Sequence, residues 1–273
     1  MVDIVTSNMR IIEINEQHVI LLEMAKELHG ICKRNGIPYY MLGGTMLGAI
    51  RHKGFIPWDD DMDFGIPRNF YDKFVECAQK ELNHPYKILT VNTSDYAIIG
   101  IGKISNSITY VPEDFAVETT EKLGINIDVF PLDYTDSNIG VLSTNRFIRN
   151  LFRFQKLLFL DASKRSFGKR ILANTCKVLF NIKKQTIVEY IHNKMLTRHL
   201  NNPTKLANLY GAWGMKEVVD VNVMGQPQLY AFENTELYGV EKPDLYLRQL
   251  YGDYMKLPPD ENRHVHASNS YYL

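Results

Sequence analysis

Apolar side chains recur at helical spacing from Glu16 to Asn35, a stretch that Asn15 can cap and Gly36 can close, so the pattern predicts a long first helix. The apolar run Ile37 to Leu42 reads as a short buried strand, Gly43-Gly44 as a turn and Thr45 to Arg51 as a short helix. His52 to Trp58, holding Gly54 and Pro57, reads as loop, and Met62 to Ile66 as the next strand. Pro67 fits a first helical position and opens a helix to about Leu82. Strand-like runs follow at Tyr86 to Val91, Ala97 to Ser105, Ser107 to Val111 and Gly124 to Phe130. The periodicity then turns helical, giving two or three helices. This order predicts an α+β fold: a mixed sheet flanked by helices, with a helical insert.

Charge refines the picture. Over the whole chain Lys plus Arg and Asp plus Glu are 31 each, which removes the bulk-charge argument for a nucleic-acid partner, and none is expected. Residues 140–200, however, carry 13 Lys and Arg against only Asp161 and Glu189, so that segment is at +11 and the remainder at −11. The asymmetry, with Asn202-Pro203, divides the chain into 1–137, a basic helical insert at 138–204, and 205–273. On a helical projection Arg146, Arg149, Arg153 and Lys156 share one face, and Phe147, Leu151, Phe154 and Leu158 another. The apolar face could pack on the core, or the helix could dock on an anionic membrane surface. With 273 residues, 45% of them hydrophobic, the chain can bury a substantial core. Its three widely spaced cysteines, Cys32, Cys77 and Cys176, fit neither a disulfide framework nor a Cys-rich zinc site. The polar N-terminal stretch is unlike a signal peptide, and no run is long and apolar enough to span a membrane. The expected location is cytoplasmic, with room for peripheral association at the inner membrane face.

The densest chemistry is Trp58-Asp59-Asp60-Asp61-Met62-Asp63-Phe64-Gly65. Alternation along a strand puts Asp59, Asp61 and Asp63 on one face and Met62 and Phe64 on the other. Like charges so close repel unless a cation sits among them, and hard oxygen ligands select Mg²⁺ or Mn²⁺. The competing reading is a solvated acidic turn, but the alternating flank argues for a site. Asp128, in the apolar run Gly124 to Pro131, is either a hydrogen-bonded structural acid or part of the same site. Gly43-Gly44-Thr45 leads into a helix whose first amides can hold a phosphate, although the motif is neither a Walker loop nor a dinucleotide fingerprint. Arg51 and Lys53 could bind phosphate or be solvated loop residues. Lys103 could do the same, snorkel, or pair with an acid.

The run from Leu42 to Asp63 (LGGTMLGAIRHKGFIPWDDDMD), the later Ile127-Asp128-Val129-Phe130-Pro131-Leu132-Asp133, and the tail Leu250 to Pro259 with Arg263-His264-Val265-His266 resemble the LicD family of phosphotransferases. The resemblance covers about residues 16–133 and 229–266. It implies a nucleotidyltransferase-like core in 1–137, completed with its active site by 205–273. Gly43 and Gly44 match the turn, Asp61 and Asp63 the metal pair, Asp128 the third carboxylate, and Asp59 an additional acid that could join the metal. Arg51, Lys53, Lys103, Arg263, His264 and His266 join Gly43, Gly44 and Thr45 as candidate substrate-binding residues. A zinc reading of His264-x-His266 lacks further Cys or His nearby.

What the resemblance implies is metal-dependent transfer of phosphocholine or a similar phospho-alcohol. The donor would be CDP-linked, and the acceptor a sugar hydroxyl of a cell-surface glycan (lipopolysaccharide, teichoic acid or capsule) or its lipid-linked precursor. Asp61, Asp63 and Asp128 would be the catalytic carboxylates. Two alternatives stay open: a nucleotidyltransferase that releases pyrophosphate, and a catalytically silent glycan-assembly protein at a membrane surface.

Overall fold

The computed structural model describes residues 9–90, 93–94, 100–112, 123–136, 144–150, 203–259, 261, 263 and 269–273, with isolated residues between 168 and 193. In chain order the elements are β1 (Ile11–Ile12), α1 (Ile14–Asn35), β2 (Tyr40–Met41), α2 (Gly43–Arg51), β3 (Asp63–Pro67), α3 (Arg68–Glu81), β4 (Tyr86–Leu89), β5 (Gly102–Asn106), β6 (Thr109–Tyr110), β7 (Asn126–Thr135), β8 (Lys205–Asn208), β9 (Val218–Asp220), α4 (Val221–Met224), β10 (Gln228–Phe232), β11 (Thr235–Gly239), α5 (Pro243–Tyr251) and β12 (Ser270–Tyr272). Residues 144–150 are helical, as are the described residues between 168 and 193.

The expected α+β fold is present. Its main sheet runs β2-β3-β7-β5-β4, with β8 and then β9 attached to β7. Only β3 and β7 are parallel; the other pairs are antiparallel. β7 pairs on one side with β3 from Asp128 to Leu132, and on the other first with β5 and then with β8. Pro131 stands at that change of partner, between the last β5 pairing at Val129 and the first β8 pairing at Leu132, where a missing N–H breaks no ladder bond. Met62, Phe64, Ile66, Ile127 and Val129 are fully buried between the sheet and its helices. Each such side chain contributes about 1.5–3 kcal/mol of burial, enough to fix which face the intervening acids take.

Local boundaries differ from the sequence reading for identifiable reasons. Glu13, not Asn15, is the extended residue before α1, while Gly36 closes that helix in the left-handed region at φ 63°. Pro67 is the last residue of β3 and α3 starts after it: at ψ 137° Pro67 is still extended, and it donates nothing to the ladder. The glycine turn belongs to α2 itself, which starts at Gly43 with φ 49°, a conformation a side chain would strain.

In the basic segment the described part of the helix at 144–150 faces the core differently from the projection. Ile148 and Asn145 are buried, and Asn145 donates to Leu209 O at 2.8 Å, whereas Phe147 is 48% exposed. Arg149 donates to Ala212 O at 2.9 Å. The side of the helix that packs thus runs through 145 and 148, one residue away from the apolar stripe counted from Phe147. Arg153, Lys156, Leu151, Phe154 and Leu158 lie outside the described residues. Among the described residues no helix is long and apolar enough to cross a membrane.

Candidate active site

Three strands place one row of charge across the sheet. Asp63 of β3 is the register partner of Asp128 of β7, and Asp128 that of Lys103 of β5. Lys103 Nζ donates to an Asp128 carboxylate oxygen and, at 2.9 Å, to Asn126 Oδ1. Asp63 is held by its backbone: its N–H donates to Thr45 Oγ1 at 2.8 Å and its carbonyl accepts from Leu42 N at 2.9 Å. The β2–α2 turn is therefore bolted to the acid-bearing strand.

The acids ahead of β3 lie on a loop rather than a strand, and α1 grips that loop. Gln17 Nε2 donates to Asp60 O at 2.7 Å and His18 Nε2 to Asp59 O at 2.6 Å. A carbonyl only accepts, so His18 carries its hydrogen on Nε2. His18 is itself stacked on Phe55, with centroids 4.1 Å apart. With the backbone clamped, Met62 is buried, Asp61 is exposed, and Asp59 and Asp63 are half-buried. Asp59 reaches back to the start of α2, where its carboxylate stands 2.6 Å from where a Gly44 Cβ would be. A side chain at 44 would push that carboxylate away.

Crowding of these carboxylates shows in their protonation. Burial, with the charges of Asp61, Asp128, Asp59 and Glu217, holds Asp63 well above the usual carboxylate range. Burial also pushes Asp59 up to about 7, reinforced by Asp61 and Asp60 and opposed by Arg51. Such a set accepts positive charge. Its donors are all hard oxygens, which fits Mg²⁺ or Mn²⁺ by chemistry and by charge. Among the described residues no three Asp, Glu, His or Cys side chains stand as a ready-made ligand cluster, and Asp128 is turned to Lys103.

The remaining candidates divide. Arg51 donates to Tyr254 O at 2.8 Å and to His52 Nε2 at 2.9 Å, and feels the charges of Arg263 and Asp59. Arg263 donates to Pro258 O at 2.8 Å and lies over the Trp58 ring at 5.4 Å. Both cations thus stand at the edge of the acids. Lys53 does not join them: it is exposed in a turn at φ 61°, and its carbonyl accepts from Glu233 N. His264 and His266 lie outside the described residues. The expected three-amide phosphate cradle is narrower than the motif implied, because the Gly43 N–H donates to the Tyr246 hydroxyl at 3.0 Å.

The resemblance implied that 205–273 completes the site, but sequence reasoning did not name Glu217 or Tyr246, which line it from that segment. Tyr246 and Tyr251 of α5 abut the Gly43 turn, and Tyr251 has its hydroxyl 3.5 Å from the Gly43 Cβ position, with an Asp63 carboxylate oxygen 3.6 Å from the same point. Glu217 lines a small cavity with Leu42, Asn208 and Tyr246. Burial pushes its carboxyl up to about 7, against hydrogen bonds from Trp213 N and Asn208 and the charge of Arg149.

A glycine-started helix beside paired strand carboxylates is the arrangement that the resemblance to a nucleotidyltransferase-like domain implied. The family described as "LicD/FKTN/FKRP, nucleotidyltransferase domain" matches residues 36–181, more than half of the chain, and the chain belongs to that family. The match runs through most of the basic segment, beyond the motifs that carry the resemblance. The chain is 27% identical over 270 residues, 97% of its length and 100% of the relative's, to the lipopolysaccharide cholinephosphotransferase LicD of Haemophilus influenzae. Over 46 residues, 17% of this chain and 9% of the relative, it is 46% identical to the human ribitol 5-phosphate transferase FKRP.

Proposed function

We propose that the chain transfers a phospho-alcohol group, phosphocholine or a close analogue, from a CDP-linked donor to a sugar hydroxyl of a cell-surface glycan or its lipid-linked precursor. The observation that carries this reading is the row Asp63, Asp128, Lys103 beside the start of α2. The relatives' names point the same way, one naming a phosphocholine transferase and another a ribitol phosphate transferase.

Mg²⁺ or Mn²⁺, held by Asp61, Asp63 and Asp128 with Asp59 beside them, would neutralise charge on the donor phosphates. The Gly44 and Thr45 amides, with Arg51 and Arg263, hold those phosphates at the edge of the acids. Asp128 takes the proton of the acceptor hydroxyl as its oxygen bonds to the distal phosphorus and the bond to CMP breaks. Lys103 keeps Asp128 oriented. The test is incubation with Mg²⁺, a panel of CDP-alcohols and an acceptor glycan. CMP release supports the reading, pyrophosphate release supports a nucleotidyltransferase, and neither product supports a silent assembly protein.

The basic segment is proposed to bring this site to a lipid-linked acceptor. Ile171, Leu172, Val178 and Leu179 are each more than half exposed within the segment of net charge +11, the combination that anionic lipid attracts. Co-sedimentation should occur with anionic liposomes, weaken with salt and fail with neutral ones. Equal, weak binding to both would leave the segment as scaffold.

A further inference from the structure

The loop between β8 and β9 is built around Glu217. One of its carboxylate oxygens accepts from Trp213 N at 2.8 Å and the other from Asn208 Nδ2 at 2.7 Å. A side chain at Gly211 would run into that carboxylate, and Gly214 turns the chain at φ 59°. The loop so shaped holds Trp213 half-exposed, 50%, with its ring perpendicular to that of Tyr251, centroids 5.5 Å apart. Tyr251 in turn reaches the Gly43 corner beside Asp63. An aromatic corner backed by a carboxylate therefore lies next to the place where the donor's distal phosphate would sit.

Such a corner suits one chemistry. A quaternary ammonium donates no hydrogen bonds and is recognised through π-faces and negative potential, whereas a polyol needs hydrogen-bond partners for its hydroxyls. Lys216 already places its ammonium 5.4 Å from the Trp213 centroid while donating to Leu250 O, so the headgroup would share the indole with this charge. Choline carries its ammonium two carbons from the phosphate oxygen, which matches the adjacency of the corner to Gly43 and Asp63.

Building on the transferase reading above, we propose that Trp213 and Tyr251, backed by Glu217, seat the quaternary ammonium of a choline-type donor headgroup and so set donor specificity. The test compares CDP-choline with CDP-glycerol by CMP release for wild type, Trp213→Leu and Trp213→Phe, the melting temperatures confirming that each folds. Leucine fills space without a π-face and should lower the CDP-choline to CDP-glycerol ratio of kcat/KM about tenfold, whereas phenylalanine should keep it within about threefold. An unmoved ratio in Trp213→Leu, or a wild type that prefers CDP-glycerol, overturns the inference and leaves the transferase standing. If no donor yields CMP, the transferase reading fails, and calorimetric titration with phosphocholine and glycerol 3-phosphate decides the seat alone. Tighter phosphocholine binding that Trp213→Leu abolishes supports it, and equal binding of the two overturns it.

Discussion

β7 carries an aspartate near each end, and the two meet opposite treatment. Asp133 is 1% exposed and gripped by Arg68, whose Nε and Nη2 donate to its two oxygens at 2.7 and 2.8 Å. Asp128 faces a half-open surface and is held by the single ammonium of Lys103, which it shares with Asn126. A planar guanidinium fork fixes a carboxylate in one orientation, whereas a lysine is a point charge on a flexible stem that can release its partner. One strand thus bears a locked carboxylate that ties α3 to the sheet and a releasable one in register with Asp63, beside the Gly43-Gly44 turn. An acidic side chain in an apolar strand, ambiguous on its own, is resolved by the kind of base opposite it and by its access to solvent.

The largest effect should come from the acids that face Asp128. Asp61→Ala and Asp63→Ala should each lower turnover by about 10⁴-fold, in the range of a lost metal ligand. Melting temperatures should be unchanged or higher, because like-charge repulsion is relieved. Retention by both variants of more than about a tenth of wild-type CMP release would sink the metal role. At the locked end, Asp133→Ala should leave the Arg68 charge buried without its carboxylate and lower the unfolding free energy by about 3–5 kcal/mol in urea titrations. Replacing both partners with leucine should recover most of that loss. Asp128→Asn should reverse the pattern, cutting turnover by about 10²- to 10³-fold while stability moves by no more than about 1 kcal/mol. If Asp128→Asn melts as Asp133→Ala does, the two ends of β7 are alike and Asp128 is structural.

The releasable end was more legible in the sequence than the wall it faces. The placement of Asp63 and Asp128 could be read because strand alternation fixes their face once Phe64 and Ile127 are buried, and that periodicity is local, whereas Asp61 precedes β3 on the loop. Asp59 was placed on that face as well, although its arrival at Gly44 depends on Gln17 and His18 gripping the loop from α1. Trp213, Glu217, Tyr246 and Tyr251 meet the site across some 200 residues of chain, and no local pattern announces such contacts. The pair of glycines at 211 and 214 was the available signal, since closely spaced glycines next to a tryptophan mark a loop shaped around something. Phe147 misled for a different reason: an apolar stripe counted on an ideal helix says nothing about which neighbouring side the core will take, and Ile148 packed instead.

Lys103 offers the smallest and most discriminating change. If it serves the donor, Lys103→Met should raise the donor KM by about three- to tenfold, about the loss of one partly exposed charge contact, with little change in kcat. The half-saturating Mg²⁺ concentration should then stay near its wild-type value. If Lys103 instead only balances Asp128, its removal leaves Asp63 and Asp128 facing each other uncompensated across β3 and β7, and Mg²⁺ should saturate at lower concentration with the donor KM unmoved. Steady-state kinetics over a grid of donor and Mg²⁺ concentrations separates the two. A donor-KM effect without a Mg²⁺ shift makes Lys103 part of the phosphate site, and the opposite result makes it a counter-ion whose release accompanies metal binding at the open end of β7.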